Sequence, residues 1–353
     1  MKKLSEIVKK ITEPNYKLME ATQLRLNNLT KPLGSLGRLE ELAKQIAGIT
    51  GNENPVLKNK VIFTLAADHG VTEEGISAYP KEVTAQMVYN FLDGGSGINV
   101  LANHAKAKVV VVDIGVASKL KPSRKLIIKK IGYGTKNMSK GPAMTRDEAI
   151  RAVETGVEIF ESEFRKGIDI IGTGEMGIGN TTAASAITAS ITQKPVEEIT
   201  GRGAGLNDEG LNNKIRVIKK SLAINNPDPS DPIDVLSKVG GFEIGGLAGI
   251  ILAAASKKVP IVIDGFISGS AALIAYAIEP KTKDYMIASH CSVEKGHKII
   301  LEYIGLKPLL DLNLRLGEGT GAALGINLAE AATRILTQMA TFKSAKVSER
   351  IKK

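Results

Sequence analysis

Residues 168–185 read IDIIGTGEMGIGNTTAAS, and this stretch decides the fold. Residues 168–171 are a short apolar run rich in β-branched side chains, which is typical of a buried strand. Four glycines follow between positions 172 and 179, and Asn180 or Thr181 can then cap a helix of small and apolar residues. This order of strand, glycine-rich loop and helix predicts a phosphate site, because a helix N-terminus carries unpaired N–H groups and a partial positive charge.

The glycine pattern matches two nucleotide-binding templates incompletely. The first three glycines agree with the dinucleotide fingerprint, but Glu197 and Glu198, near the expected acidic position, do not follow a second strand. The P-loop template has a lysine that reaches the β- and γ-phosphates, and Asn180 stands in its place. A loop with backbone donors and hydroxyl groups but no lysine is better suited to a single phosphate. A glycine-rich turn between packed elements is the alternative without a ligand.

The composition is that of a soluble globular protein with a substantial core. The chain has 353 residues, 43% hydrophobic and 24% charged, which allows one large domain or two. We attribute the net charge of +10 to a solvated lysine-rich surface. The chain has no Trp and no alternation of basic and aromatic residues, so we expect no nucleic-acid partner. Its apolar runs are too short to span a bilayer, so we expect no membrane partner.

The cysteine usage and the N-terminal sequence predict a cytoplasmic protein. Cys291 is the single cysteine, which excludes an intramolecular disulfide framework and indicates a reducing compartment. The N-terminus lacks the apolar core of a signal peptide. We expect Cys291 to be a small buried apolar residue and not a nucleophile.

Short apolar segments alternate with helical patterns from Lys60 onward, which predicts an α/β fold. Strands are expected at residues 61–67, 109–116, 168–172, 259–265 and 285–289. Helices are expected at residues 82–92, 97–105, 146–164, 207–224, 245–255 and 321–342, and directly after Asn180. Nearly continuous apolar strands indicate a Rossmann-like parallel sheet with helices on both faces. Ligands of such sheets bind at the carboxyl ends of the strands.

The two chain ends are predicted to form a smaller helical domain. Residues 1–55 contain a dense leucine set, and residues 311–353 carry apolar residues at helical spacing. The α/β nucleotide-binding domain then spans residues 56–310, with the polar turn at 52–55 as its first boundary.

Polar residues beside glycine mark several predicted strand ends and helix starts. Asp68 and His69 follow a strand, and we expect this pair to hold a turn, because no second histidine lies at metal-ligand spacing. The segment TGRGAGL at 200–206, together with Lys214, predicts a second anion cradle or else a turn with solvated charges. We interpret Asp264, which opens the segment DGFISGSAA, as mostly architectural.

Two segments near the C-terminus offer further candidates. The segment SHCSVEKGH at 289–297 contains Ser292, a suitable contact for a polar ligand. Glu318 lies between Gly317 and Gly319, directly before a predicted helix. Glycine on both sides leaves the carboxylate sterically open, and nearby apolar residues would raise its pKa towards that of a general base. The alternative is an exposed glutamate in a turn.

In this order, these segments resemble the nicotinate-nucleotide–dimethylbenzimidazole phosphoribosyltransferase family. Each motif alone is weak, but the ordered set is specific and covers nearly the whole chain. The motifs are KPLGSLGRLEELA, ADHGV, YPKEVTAQM, GTGEMGIGNTTAA, TGRGAGL, DGFISGSAAL, SHCSVEKGH and LRLGEGTGAAL. The resemblance implies transfer of phosphoribose from nicotinate mononucleotide to 5,6-dimethylbenzimidazole, giving nicotinate and the α-ribazole 5′-phosphate of cobalamin. It also implies no cofactor, no metal and a homodimer.

The resemblance assigns roles to individual residues. The catalytic glutamate of the family falls on Glu318, which would take the N–H proton of the incoming benzimidazole. The nucleotide is expected to contact Glu175, Gly177, Gly179, Asn180, Thr181, Gly203, Lys214 and Ser292. The base is expected to contact Tyr79, Pro80, Gln86, Met87, Leu316 and Gly317. An apolar pocket discriminates related bases by only ~1–3 kcal/mol per methyl group, so phenolic bases and unsubstituted benzimidazole are alternatives.

Two functions of other classes stay open on the sequence alone. A non-catalytic nucleotide-binding protein of the same fold would bind the mononucleotide without base-dependent turnover. An NAD-dependent dehydrogenase would use the glycines at 172–177 to bind a dinucleotide.

Overall fold

A six-stranded sheet forms the centre of the computed structural model, which describes residues 2–348. The strands are β1 (Lys60–Ala67), β2 (Lys108–Gly115), β3 (Leu126–Ile128), β4 (Ile170–Met176), β5 (Ile261–Ile263) and β6 (Met286–Ala288). All pairings are parallel and the spatial order is β3-β2-β1-β4-β5-β6. This is the doubly wound order, whose direction reverses between β1 and β4. The predicted Rossmann-like parallel sheet is therefore confirmed.

Helices cover both faces of the sheet, as the nearly continuous apolar strands predicted. In chain order they are α1 (Lys2–Val8), α2 (Tyr16–Asn27), α3 (Arg38–Thr50), α4 (Val83–Asp93), α5 (Gly97–Ala105), α6 (Arg146–Phe164), α7 (Asn180–Thr192), α8 (Val196–Ile199), α9 (Asp208–Asn225), α10 (Pro232–Val239), α11 (Phe242–Ser256), α12 (Phe266–Ile278), α13 (Lys295–Ile304), α14 (Thr320–Gln338) and α15 (Phe342–Ala345). Two short 3₁₀ helices lie at Gly70–Glu74 and Pro280–Tyr285. Within residues 2–348, no helix is both long enough and apolar enough to cross a membrane.

The two faces carry separate apolar clusters. Helices α1 and α6 to α13 contribute to the cluster on one face, where alternate strand residues such as Phe63 and Leu65 point inward. Helices α2 to α5 and α14 contribute to the other, with Ile62 and Val262 of the sheet. The sheet is therefore shielded from water on both sides, and polar chemistry is left to its strand ends.

The helices of the two chain ends meet on the second face. Helices α2 and α3 pack against each other, and α14 packs against both α3 and the sheet. Helix α1 differs, because it packs on the opposite face against α6 and α11. The division of the chain at residues 55 and 310 stays a prediction, and Met1 and residues 349–353 lie outside the described residues.

Strand β4 is longer than the sequence predicted, and the glycine loop is correspondingly shorter. Gly172 and Gly174 lie inside the strand, where Gly174 pairs with Thr64 of β1. A Cβ on Gly174 would overlap with the backbone of Glu318, and one on Gly172 would lie 3.0 Å from the Ala322 Cβ. These glycines therefore serve close packing and not a turn. Strand β3 was not predicted, because its three residues are too few to give a pattern.

Helices α6 and α11 cross at a contact that only glycine permits, and this generates a stability prediction. A Cβ on Gly249 would overlap with the Val153 carbonyl group, which belongs to the backbone of α6 and cannot move aside. We therefore expect Gly249→Ala to lower the free energy of unfolding by about 3 kcal/mol in a urea titration.

A matched control is Gly210→Ala in α9. The added methyl group there would meet mainly the flexible end of the Leu206 side chain, at 2.9 Å. We expect the control to change stability by less than about 1 kcal/mol. Equal urea midpoints for the two variants would contradict the close crossing.

Candidate active site

A cleft of about 450 Å³ opens beyond the carboxyl ends of β4, β5 and β6. Its lining includes every residue that the sequence analysis assigned to the site except Pro80 and Gln86. Helix α4 begins at Val83, so Val83 and Met87 lie one turn apart and both face the cleft. Gln86 is exposed on another side of this helix, and Pro80 is exposed before it. These two residues are therefore not part of the lining.

Glu318 lies in a turn of unusual backbone geometry. Gly317, Glu318 and Gly319 have φ angles of 84°, 64° and 102°, so all three are left-handed. This conformation is strained for the glutamate but not for its glycine neighbours. The Glu318 side chain is buried, and the Ile98 N–H at the start of α5 donates to its Oε2 at 2.9 Å. The alternative of an exposed turn glutamate is therefore wrong.

Burial raises the pKa of Glu318 above its ordinary value, while the hydrogen bond from Ile98 acts in the opposite direction. Since burial disfavours the charged form, the carboxylate is a stronger base than a solvated glutamate. This is the direction that the flanking sequence predicted.

Glu175 is the last but one residue of strand β4 and lies beside the same turn. The Asn180 Nδ2 group donates to its Oε2, which links the strand end to the first residue of α7. A Cβ on Gly317 would overlap with the Glu175 carboxylate, so the two groups are in close contact. Burial, followed by the charges of Asp264 and Glu243, raises the pKa of Glu175 well above its ordinary value.

Asp264 connects the end of β5 to the start of α14. Its Oδ2 accepts the Gly319 N–H at 3.1 Å, and its Oδ1 accepts those of Gly321 at 2.7 Å and Ala322 at 3.1 Å. Burial raises the pKa of Asp264 to about 7, against the opposing effect of these N–H groups. The architectural interpretation of Asp264 thus has a concrete form, because this side chain caps the helix that follows Glu318.

The predicted anion cradle lies where α7 begins. Lys214 of α9 reaches across to donate to Thr181 Oγ1 at 2.8 Å, and Gly203 lies against both side chains. Lys214 is completely buried, and burial lowers its pKa to about 8 although the Glu294 carboxylate opposes this change. The alternative of a turn with solvated charges is therefore wrong for Lys214.

Glu294 is a residue of this cradle that the sequence analysis missed. Its Oε1 accepts the Gly203 N–H at 2.9 Å, and a Cβ on Gly201 would overlap with the carboxylate. The turn is therefore folded around the buried carboxyl group of Glu294. Arg315, which was also missed, donates to the Gly203 carbonyl oxygen at 3.1 Å.

Ser292 and its neighbours form the side of the cleft that follows β6. Ser292 Oγ donates to the Leu314 carbonyl oxygen at 3.1 Å, which fastens the segment before Glu318 to this strand end. His290 also lines the cleft and was not predicted. Cys291 was expected to be buried but is only half-buried.

The remaining wall of the cleft is apolar and open to solvent. Tyr79 and Leu316 are 53% and 60% exposed, and Val83, Met87 and Ile76 continue the wall inward. Exposed large apolar side chains at a cleft mouth are typical of a surface that binds a flat apolar ligand.

A buried histidine, His69, packs against the glycine loop that follows β4. His69 Nε2 lies 2.7 Å from Glu243 Oε1, and a Cβ on Gly177 would lie 3.4 Å from the His69 ring. Burial alone would lower the pKa of His69. The charges of Glu243 and Asp68 have the larger combined effect, so the pKa is raised above its ordinary value. Asp68 accepts the Ala117 N–H at 2.7 Å. The histidine therefore pairs with Glu243, which was missed, and not with its chain neighbour.

Known proteins of one family resemble this chain in both sequence and structure. A family model described as "Phosphoribosyltransferase" matches residues 11–347. The nicotinate-nucleotide–dimethylbenzimidazole phosphoribosyltransferases of Geobacter sulfurreducens and Desulforudis audaxviator are each 56% identical to this chain, over 98% of both chains. The crystal structure of CobT from Thermus thermophilus superposes with a TM-score of 0.91 at 44% identity and covers 95% of this chain and 100% of its own. This chain is therefore a member of the phosphoribosyltransferase family to which these enzymes belong.

Proposed function

We propose that this protein transfers phosphoribose from nicotinate mononucleotide to 5,6-dimethylbenzimidazole or a closely related base. The observation that carries the proposal is that Glu318, Lys214 with the Gly203 turn, and apolar side chains such as Leu316 and Met87 line one cleft. The names of the relatives support the choice of both substrates.

The anion cradle is assigned to the phosphate of the mononucleotide. The N-terminus of α7, the Gly203 turn and the Lys214 ammonium group supply donors and positive charge at one position. We assign the ribose to the space between this cradle and Glu318, next to Glu175. The apolar wall is assigned to the benzimidazole, whose flat ring has few polar atoms to satisfy.

The chemistry needs one base and no acid. The unprotonated benzimidazole nitrogen attacks C1 of the ribose, and the bond from C1 to the pyridinium nitrogen breaks. That bonding pair stays on nicotinate, which leaves as a neutral ring. The proton of the other benzimidazole nitrogen passes to Glu318. Because Oε2 already accepts the Ile98 N–H, we assign this proton to Oε1.

Attack from the face opposite nicotinate inverts C1 and gives the α-linked product. Positioning of the two rings supplies much of the rate, and the base contributes about 10²- to 10⁴-fold.

We also propose that the protein is a homodimer, which the family resemblance supports. We propose that it acts in the cytoplasm, which the single free thiol of Cys291 supports.

The glycine-rich loop that the dehydrogenase alternative requires is not formed at residues 172–177. Gly172 and Gly174 lie within β4, so the expected dinucleotide loop is not formed there. A non-catalytic binding protein would not need a strained and buried glutamate beside the apolar wall.

The direct test is to incubate the protein with nicotinate mononucleotide and 5,6-dimethylbenzimidazole, and to follow both products by chromatography. We expect nicotinate and α-ribazole 5′-phosphate to form in equal amounts. If neither product forms, and benzimidazole and phenol fail as replacement bases, the proposal is wrong.

The role of Glu318 is tested by Glu318→Gln, which keeps the shape of the side chain but removes its basicity. We expect kcat to fall by about 10²- to 10⁴-fold, while calorimetric binding of nicotinate mononucleotide is retained. Glu302→Gln, on the exposed side of α13, is the matched control and should leave kcat unchanged. Near-normal turnover of Glu318→Gln would move the base role to Glu175.

The dependence of kcat/KM on pH is expected to be bell-shaped. Glu318 must be ionised, so activity should fall as pH decreases through a pKa above 4.5. Lys214 must be charged to bind phosphate, so activity should also fall as pH rises through about 8.

Lys214→Arg identifies the group responsible for the alkaline limb. The guanidinium group stays charged, so in this variant we expect the alkaline limb to move to higher pH while the acidic limb is unchanged. An alkaline limb that stays in place would show that another group titrates there.

A further inference from the structure

We propose that Asp264 is a positioning residue that holds the turn of Gly317, Glu318 and Gly319 in the conformation that the reaction requires. This inference rests on the proposed function of Glu318. Asp264 is only 1% exposed and is absent from the lining of the cleft, so it acts through the turn and not through contact with a substrate.

The carboxylate of Asp264 satisfies the backbone directly after Glu318. It accepts N–H groups of Gly319, Gly321 and Ala322, which are the N-terminal donors of α14. The N-cap residue of this helix is Gly319, which has no side chain to satisfy them. The side chain of Asp264, which directly follows β5, therefore provides the cap, and it fixes the helix start relative to the sheet.

The turn needs such an external anchor because its conformation is strained. Glu318 has a φ of 64°, in the left-handed region that a side chain with a Cβ disfavours. Strain of this kind persists only where surrounding contacts determine the backbone. Besides Asp264, two contacts do so here, since Thr64 Oγ1 donates to the Glu318 carbonyl oxygen at 2.9 Å, and Gly174 packs directly beneath it.

The backbone of Asp264 is itself hydrogen-bonded to neighbouring parts of the sheet, so the position of its side chain is fixed relative to the strands. Its backbone N–H donates to Thr173 Oγ1 at 3.2 Å, and its carbonyl oxygen accepts from Ser289 Oγ at 3.3 Å. These residues belong to β4 and to the end of β6. The anchor of the catalytic turn is thus set by the strands on both sides of β5.

An asparagine cannot replace this carboxylate, because it offers only one acceptor oxygen. Its NH₂ group would point at one of the backbone N–H groups and repel it. We therefore expect Asp264→Asn to lower kcat by about 100-fold, the size of effect that a small misplacement of a catalytic group can have. The KM for nicotinate mononucleotide should change by less than about twofold, since the anion cradle is not altered.

The decisive measurement is a double-mutant cycle with Glu318→Gln. If Asp264 acts through Glu318, adding Asp264→Asn to Glu318→Gln should lower kcat little further. A residue that merely stabilises the fold would lower kcat by the same factor in both backgrounds. Asp169→Asn is the matched control, because Asp169 also accepts two backbone N–H groups but at the amino end of the sheet. It should leave kcat unchanged.

Thr64→Val is the second variant, for use if Asp264→Asn does not fold. It removes the hydroxyl group that donates to the Glu318 carbonyl oxygen and keeps the side-chain shape. We expect the same loss of kcat and the same absence of a further loss in Glu318→Gln. Independent effects in the cycle, or a loss confined to KM, would overturn the role of Asp264. Absence of turnover in the unmodified protein would instead contradict the proposed function itself.

Discussion

The contact between Gly174 and the Glu318 carbonyl oxygen is the constraint on which the site depends. No side chain fits between them, so the turn rests directly on β4. Because β4 is next to β1 at the point where the strand order reverses, this contact places the glutamate at the position where such folds bind ligands. The glycines of the strand therefore determine where the Glu318 turn lies.

The cleft combines buried carboxyl groups with a buried ammonium group, which suits the proposed substrates. Glu175 and Glu318 line the cleft, Asp264 is buried outside its lining, and burial raises the pKa of each. Lys214 contacts Thr181 at the start of α7, next to Asn180, which donates to Glu175. The proposed mononucleotide carries an anionic phosphate and a cationic pyridinium ring, so each of these groups has a counterpart in the cleft. In their ionised form the carboxylates would stabilise positive charge that develops on the ribose as the pyridinium bond breaks.

The sequence predicted the features that depend on local pattern. The sheet and most helix positions follow from apolar periodicity, and the meeting of most candidate residues in one cleft follows from glycine spacing and the resemblance. The extent of β4 did not, because glycine looks like a loop signal unless the partner that fills its space is known. The missed residues have partners far away in the chain, since Glu243 pairs with a residue 174 positions away and Glu294 with one 91 positions away. No local pattern records such contacts.

The environment of Glu318 meets two opposing requirements of its proposed role as a general base. A base at neutral pH must be ionised, yet it must also bind a proton more strongly than a solvated carboxylate does. The N–H of Ile98 at the start of α5 favours the ionised form, and burial favours the protonated form. Burial has the larger effect, so the pKa is raised, but the helix start limits the increase. A longer contact to Ile98 would raise the pKa of Glu318 further, so a general base at this position would be stronger but less often ionised.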